Sequence, residues 1–213
     1  MKIGVLGTGD VGKALANGFL ATGHSVMMGS RSAANESAVE WQKEAGDNAS
    51  VGTFADAAAY GELVVFATKG AANPEVVAAA GADKFAGKVV VDATNPLDLS
   101  AGYPDLAVKG DDSGGETLQR LLPGAKVVKA FNIVNYSLMF RPDLPGGPPD
   151  MFIAGDDAQA KETVTQVLAD FGWPAIDLGP IRSARWLEGM CMAWVMAGMA
   201  TQNFRQAFKL LRD

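Results

Sequence analysis

The chain of 213 residues has one cysteine, Cys191, and one histidine, His24. A single cysteine forms no intrachain disulfide, and together with one histidine it leaves no Cys/His set for a zinc site. A histidine-based hydrolytic triad would need His24, which lies between Gly23 and Ser25 at the start of an apolar run and is poorly placed to act as a base. The sequence therefore predicts no metal site, and its lone thiol is typical of a reducing compartment.

An excess of basic residues and a long apolar run are also lacking. Lysine and arginine number 18 against 24 acids, for a net charge of -6, which does not favour binding to a phosphate backbone. The longest uncharged apolar segment, Gly189–Ala200, is well short of the roughly 20 residues that a membrane-spanning helix needs. The first residues carry no stretch typical of a secretion signal. We expect no nucleic-acid partner, no membrane association and a cytoplasmic location.

Short β-branched runs alternate with alanine-rich stretches over the first two-thirds of the chain, which is typical of βαβ units and a parallel sheet. Strands are predicted at Lys2–Leu6, Ser25–Met28, Leu63–Ala67, Val89–Asp92 and Lys126–Phe131. Helices are predicted between them at Val11–Ala21, Ala34–Ala45, Pro74–Ala80 and Glu116–Leu121. The pattern predicts an α/β fold, a Rossmann-type doubly wound and mostly parallel sheet.

Four prolines and two glycines predict a loop at residues 141–150. Beyond this loop, a predicted strand, helix and strand extend the same sheet; they are Met151–Ala154, Ala158–Phe171 and Ala175–Leu178. The remainder, from about Arg182 to Leu211, has helical propensity. We therefore expect a nucleotide-binding domain over residues 1–180 and a C-terminal helical segment, 181–213, which packs on the cofactor cleft or on a second subunit.

A glycine-rich motif, Gly7-Thr8-Gly9-Asp10-Val11-Gly12, directly follows the first predicted strand and directly precedes a helix. In a G-x-G-x-x-G motif, Gly7 would permit the tight turn, Gly9 would let backbone amides approach a pyrophosphate, and Gly12 would let helix and strand pack closely. Asp10 is expected to cap the helix or to bond a ribose. In this context the motif predicts a dinucleotide site rather than a turn without a ligand.

The end of the second predicted strand decides the cofactor. An NAD enzyme places an acid there to bond the ribose hydroxyls, but no Asp or Glu occurs from Val11 through Asn35. Instead the strand runs into Ser30, Arg31 and Ser32. Arg31 can make charge-assisted contacts to a 2′-phosphate, and both serines can donate hydroxyl hydrogen bonds. The sequence therefore predicts NADP(H) over NAD(H).

Three further strand ends are expected at the ligand, because ligands of such sheets lie across the carboxyl ends of the strands. Residues assigned to the cofactor are Thr68, Lys69, Asn95 and Pro96, and those assigned to a second substrate are Asn132, Val134 and Asn135. Asn, Thr and Gly also favour turns for local reasons, so each could be a turn residue. Lys69 is a weak candidate for a proton donor. We otherwise predict no catalytic residue, because hydride transfer between flat rings needs alignment more than it needs a general acid.

The C-terminal stretch has a small-residue face next to a bulky one. The small residues recur every four positions at Gly189, Ala193, Ala197 and Thr201, and the bulky ones are Trp186, Met190 and Trp194. A second subunit, a flat flavin-like ring or ordinary intrachain core would each pack against such a surface. We expect a homodimer.

Several segments together resemble a known family, the NADP oxidoreductases that use the deazaflavin coenzyme F420. The resemblance covers nearly the whole chain and is carried by Gly7–Gly12, Gly29–Arg31, Lys129–Asn132, Met151–Asp157 and Phe171–Gly179. The chain is more distantly similar to the reductase domain of the six-transmembrane metalloreductases and to the nucleotide domain of pyrroline-5-carboxylate reductases. The resemblance implies that a deazaflavin packs against the nicotinamide at the loop from Asn132 to Asn135. Asn132 stands where archaeal members carry a histidine, and Thr68-Lys69-Gly70 replaces their proline.

These observations favour an NADP-dependent oxidoreductase that passes hydride between NADPH and a flavin-like or deazaflavin acceptor, a small molecule. Two alternatives stay open. One is a non-catalytic protein that senses the NADPH/NADP ratio, and the other is a reductase of a small imine or carbonyl compound, with Lys69 as the proton donor.

Overall fold

The computed structural model describes residues 1–211. Its strands are β1 (Lys2–Leu6), β2 (Ser25–Ser30), β3 (Ala49–Thr53), β4 (Leu63–Phe66), β5 (Val89–Asp92), β6 (Leu97–Asp98), β7 (Asp105–Leu106), β8 (Lys126–Lys129), β9 (Met151–Gly155) and β10 (Ala175–Asp177). Its α-helices are α1 (Asp10–Ala21), α2 (Glu36–Ala45), α3 (Phe54–Tyr60), α4 (Asn73–Ala80), α5 (Gly114–Leu121), α6 (Ala158–Asp170) and α7 (Ala184–Thr201). Four short 3-10 turns lie among them in the described residues.

Eight strands form one sheet in the order β10-β9-β8-β5-β4-β1-β2-β3. Within this sheet, all neighbouring strands in the stretch β8-β5-β4-β1-β2-β3 are parallel. Strand β9 runs antiparallel to β8, and β10 runs parallel to β9. This confirms the predicted doubly wound, mostly parallel sheet. The strand order reverses between β1 and β4, and such a switch point opens a crevice at the carboxyl ends of the strands.

The central strands are apolar on both sides because helices cover both faces of the sheet. Alternate residues enter two separate buried clusters: Val65, Val91 and Val128 on the side of α1 and α6, and Val64, Val90 and Val127 on the side of α3, α4 and α5. Continuous apolar runs of this kind are what a sheet buried on both faces requires.

Sequence analysis missed β3 and α3. Ser50 and Gly52 give β3 a weak strand pattern, and the strand forms because it pairs with β2 along its whole length. A reciprocal capping box begins α3: the Thr53 hydroxyl accepts from the Asp56 backbone N–H, and the Asp56 carboxylate accepts from the Thr53 backbone N–H. At the other side of the sheet, β8 ends at Lys129 rather than at Phe131, whose φ of 63° is incompatible with a strand.

The chain beyond α6 adds one long helix and a non-helical tail. Helix α7 ends at Thr201 because Gln202 adopts a left-handed conformation, whereas the sequence predicted helix to about Leu211. Residues 203–211 pack back on α7: the Trp194 indole donates to the Gln206 carbonyl over 2.8 Å, and the Gln206 side chain donates to the Trp194 carbonyl over the same distance. The last two residues of the predicted helical segment, 212 and 213, lie outside the described residues. Within residues 1–211, no helix has the length and apolar character to cross a membrane.

Candidate functional site

A cavity of about 810 Å³ opens at the carboxyl edge of the sheet, where the strand order reverses. It lies between the β1–α1 loop, the end of β2 and the loop after β4. Nine of the residues predicted for the cofactor line it: Gly7, Thr8, Gly9, Asp10, Val11, Ser30, Arg31, Thr68 and Lys69. The fold thus brings together residues that are up to 62 positions apart in the chain.

Two of the three motif glycines are required by the backbone itself. A Cβ on Gly7 would lie 2.4 Å from the Ala67 carbonyl oxygen, and a Cβ on Gly12 would lie 2.2 Å from the Gly7 carbonyl oxygen. A Cβ on Gly9 would meet nothing within 4 Å. Helix α1 begins directly after Gly9, and Asp10 lies in its first turn, where an acid stabilises the helix dipole. Gly9 and the N-terminus of α1 therefore form an open cradle with the donor N–H groups that an anion needs.

Arg31 lies at one end of the cavity, exposed, just beyond β2. Neighbouring Ser30 and Ser32 hold the turn: the Ser30 hydroxyl donates to the Ser32 carbonyl over 2.6 Å, and the Ser32 backbone N–H donates to the Ser30 hydroxyl oxygen. Ser32 itself is not among the lining residues. The guanidinium is thus presented on a short, locally bonded turn.

The walls near Arg31 come from residues that sequence reasoning missed. They are Glu75, Val76 and Ala79 of α4, Phe54 of α3, Ala72 just before α4 and Asn35 just before α2. The Ser37 hydroxyl also donates to the Thr8 carbonyl, which ties α2 to the glycine-rich loop. Asn35 could have been recognised from the sequence as a helix cap, since its side chain accepts from the Ala38 backbone N–H. The apolar wall had no such signal.

The remaining predicted residues lie at the same edge but do not line the cavity. Asn95 donates to the Asn132 carbonyl over 2.7 Å, and Asn132 donates to the Asn95 side-chain oxygen and to the Leu187 carbonyl, each over 3.0 Å. These two asparagines therefore join the loops after β5 and β8 to α7. Asn135 accepts from the Ser137 backbone N–H and so holds the turn that presents Tyr136 to the cavity.

Val134 is buried, and Pro96 packs beside Gly114, whose added Cβ would lie 3.2 Å from the proline ring. Gly12 is buried under the glycine-rich loop. Val134, Pro96 and Gly12 therefore shape the surroundings of the cavity rather than its surface.

The comparisons with known proteins agree with this geometry. Residues 2–96 match the family described as NADP oxidoreductase coenzyme F420-dependent. The chain is 35% identical to the F420-dependent NADP reductase of Methanothermobacter thermautotrophicus over 88% of its own length and 85% of that protein. The chain belongs to the coenzyme F420-dependent NADP oxidoreductase family. It is thereby an NADP-dependent oxidoreductase.

Two further matches are consistent with membership of this family. A crystal structure of a candidate F420-dependent NADP reductase from Arthrobacter sp. FB24 has 41% sequence identity and a TM-score of 0.94, with 100% of both chains covered. Metalloreductase STEAP3 of Rattus norvegicus is 30% identical over 89% of this chain. The chain spans only 36% of the length of that metalloreductase.

This member of the F420-dependent NADP oxidoreductase family also buries three charged side chains together in its interior. The Lys129 ammonium donates to Asp92 over 2.9 Å and to Glu188 over 2.6 Å, and all three side chains are at most 1% exposed. Glu188 also accepts from the backbone N–H groups of Gly114 and Gly115 at the start of α5. Burial lowers the pKa of Lys129, but the two carboxylates outweigh burial, so this pKa lies above its ordinary value.

The buried cluster joins β5, β8, α5 and α7 at one point. Sequence analysis did not predict this cluster, although the sequence contains a signal for it. Lys129 ends a buried strand, and a lysine in such a position needs a partner of opposite charge.

Proposed function

We propose that this chain transfers hydride between NADPH and a flavin-like or deazaflavin acceptor of the F420 type. The observation that carries the proposal is the cavity, which has an open anion cradle at Gly9 and the guanidinium of Arg31. In addition, no Asp or Glu occurs between Val11 and Asn35, the segment that contains the end of β2. The family supports the reaction class. The identity of the acceptor is the part that experiment has to supply.

The residues of the cavity fit NADP(H). The pyrophosphate would lie against Gly9 and the N-terminus of α1, where the missing Cβ leaves room for it. Arg31 would bind the 2′-phosphate, on a turn held by Ser30, whose hydroxyl hydrogen is donated to the Ser32 carbonyl. The apolar wall of Phe54, Val76 and Ala79 would take the adenine. NADPH, when bound, supplies the hydride, and the protein's contribution is to orient two flat rings.

The acceptor would enter at the mouth of the cavity, beside Tyr136 and the loop from Asn132 to Asn135. Tyr136 is 45% exposed and lines the cavity, so its ring is available for stacking. Asn132 has already used its donors, and its carboxamide oxygen is the one buried side-chain polar atom without a hydrogen-bond partner among the described residues. Lys69 is exposed at the same mouth and stays a weak candidate for a proton donor.

Anaerobic oxidation of NADPH by the purified chain tests this proposal, with coenzyme F420, FMN, FAD and riboflavin as acceptors. Rapid turnover with one of the four is expected and would identify the acceptor. Tight NADPH binding without turnover on any of them would overturn the proposed acceptor class. That result would favour an imine or carbonyl substrate, or a sensor of the NADPH/NADP ratio.

We further propose a homodimer through α7. The small-residue face is exposed at Gly189, Ala193, Ala197 and Thr201, and a Cβ on Gly189 would meet nothing within 4 Å. The neighbouring Trp186 is 72% exposed, so an apolar side chain is available to a partner. Light scattering should give twice the chain mass of 22.2 kDa. The boundary at residue 180 and the cytoplasmic location stay predictions.

A further inference from the structure

A line of polar side chains runs from the wall of the cavity into the protein interior. The Thr68 hydroxyl donates to the Asn73 carboxamide oxygen over 3.2 Å, and the Asn73 amide nitrogen donates to the Thr94 hydroxyl over 3.0 Å. The Thr94 hydroxyl donates to Asp92 over 2.7 Å, and Asp92 accepts from Lys129 over 2.9 Å. We call these five side chains the polar chain. Only Thr68 lines the cavity, and Asn73, Thr94, Asp92 and Lys129 are buried.

The direction of these hydrogen bonds is determined by the charge at the buried end. The Lys129 ammonium is a donor only, and it donates to one oxygen of Asp92. The Thr94 backbone N–H is also a donor only, and it donates to the other oxygen over 3.0 Å. Both oxygens therefore accept hydrogen bonds, and one of them forms an ion pair with the Lys129 ammonium. The Thr94 hydroxyl lies close to the same carboxylate and therefore donates its hydrogen bond to Asp92.

The same reasoning carries outward to the cavity. Since the Thr94 hydroxyl hydrogen is already used, Thr94 can only accept from Asn73. The Asn73 amide nitrogen must then face Thr94, and its carbonyl oxygen must face Thr68. A carbonyl oxygen accepts and never donates, so the Thr68 hydroxyl hydrogen is committed to Asn73. What Thr68 presents to the cavity is its oxygen lone pairs alone.

We propose that Thr68 is an obligatory hydrogen-bond acceptor in the cofactor site, with its polarity set by Asp92 and Lys129 through the positioning residues Asn73 and Thr94. This inference rests on the proposed function. The group it would recognise is a hydrogen-bond donor of NADP(H), either a ribose hydroxyl or the amino group of the nicotinamide carboxamide. Without the polar chain, the Thr68 hydroxyl could rotate and serve either as donor or as acceptor. The polar chain therefore makes Thr68 selective for a hydrogen-bond donor of the ligand.

A double-mutant cycle on the full chain tests the inference, with NADP⁺ affinity measured by calorimetry. Thr68→Val should weaken binding by about three- to tenfold, the loss of one neutral hydrogen bond. Asn73→Ala should also weaken binding, because the freed hydroxyl no longer keeps its lone pairs toward the ligand. The double variant should bind no worse than Thr68→Val, since Asn73 acts through Thr68. Thr163→Val, which alters a half-buried threonine on α6, serves as the matched control and should bind like wild type.

The 3-acetylpyridine analogue of NADP⁺, which lacks the carboxamide amino group, separates the two sources of the donor. If Thr68→Val weakens NADP⁺ but leaves the affinity for the analogue unchanged, the donor is the carboxamide. If both ligands weaken equally, the donor is a ribose hydroxyl.

Wild-type affinity in Thr68→Val would overturn the inference, as would a loss from Asn73→Ala that is fully retained in the Thr68→Val background. A wild-type chain that binds no NADP⁺ would instead overturn the proposed function, and this inference with it.

Discussion

Replacing Lys129 with methionine tests the buried cluster of Asp92, Lys129 and Glu188. Methionine is close to lysine in length and shape, so the change removes the ammonium and leaves most of the packing in place. The substitution strands two carboxylates that are both at most 1% exposed and that each lie within 2.9 Å of the lysine nitrogen. Their remaining partners are the Thr94 hydroxyl and the backbone N–H groups of Thr94 and of α5, none of which carries a full positive charge.

The expected loss of stability is large. Removing one member of a buried ion pair typically costs about 3–5 kcal/mol, because an uncompensated charge stays in the interior. Natural domains of this kind are stable by only about 5–15 kcal/mol, so the variant would lose a substantial fraction of its stability. For a chain of this size the same loss lowers Tm by roughly 6–20 °C.

Urea unfolding at pH 7, followed by tryptophan fluorescence, measures the effect. Lys126→Met is the matched control: Lys126 lies on the same strand, is 40% exposed, and pairs with Asp157 over 3.2 Å at the surface. The control should unfold at nearly the wild-type urea concentration, because solvent screens a surface pair.

In the wild-type protein, the ion pairs of Lys129 make the free energy of unfolding depend on pH at the alkaline end. Because the pKa of Lys129 is raised, these ion pairs stabilise the fold fully below the ordinary value of 10.5. This stabilisation is lost as the pH rises through the higher pKa of the folded protein. A Lys129→Met variant as stable as Lys126→Met would refute the argument.

Three further predictions concern the cofactor site and the thiol. Arg31→Ala should weaken NADPH by roughly ten- to a hundredfold, the range of a charged hydrogen bond, and change NADH little; equal losses for both, by titration, would contradict the 2′-phosphate assignment. Gly9→Ala should unfold like wild type yet bind NADPH weakly. Gly12→Ala should be destabilised by about 1–3 kcal/mol or more, because its Cβ would lie 2.2 Å from a backbone oxygen. A lower Tm for Gly9→Ala than for Gly12→Ala would contradict this prediction. Burial raises the pKa of the Cys191 thiol to about 11, so a thiol reagent at pH 8 should label it only after unfolding; rapid labelling of the folded chain would show that it is accessible.

Much of the nucleotide-binding half could be predicted from the sequence. The glycine motif between an apolar strand and a helix, the absent acid after β2 and the continuous apolar runs are local patterns, and each has a local physical cause. The misses have physical causes as well. Strand β3 contains Ser50 and Gly52 and depends on its pairing with β2, and α7 ends where Gln202 turns left-handed. Neither feature leaves a clear pattern in a short window of sequence.

The surroundings of the cavity depended on tertiary structure. Asn95 and Asn132 lie in the loops after β5 and β8 and were expected to face ligands, yet they bond each other and α7 because the two loops converge there. Asp92, Lys129 and Glu188 are up to ninety-six positions apart. The pairing of β5 with β8 places Asp92 opposite Lys129, and the packing of α7 against the sheet brings Glu188 to them. The sequence by itself determined the sheet and the nucleotide motif, because periodicity and glycine geometry act over a few residues. The tertiary structure decided which polar side chains pair with one another, because burial leaves each of them no water to bond instead.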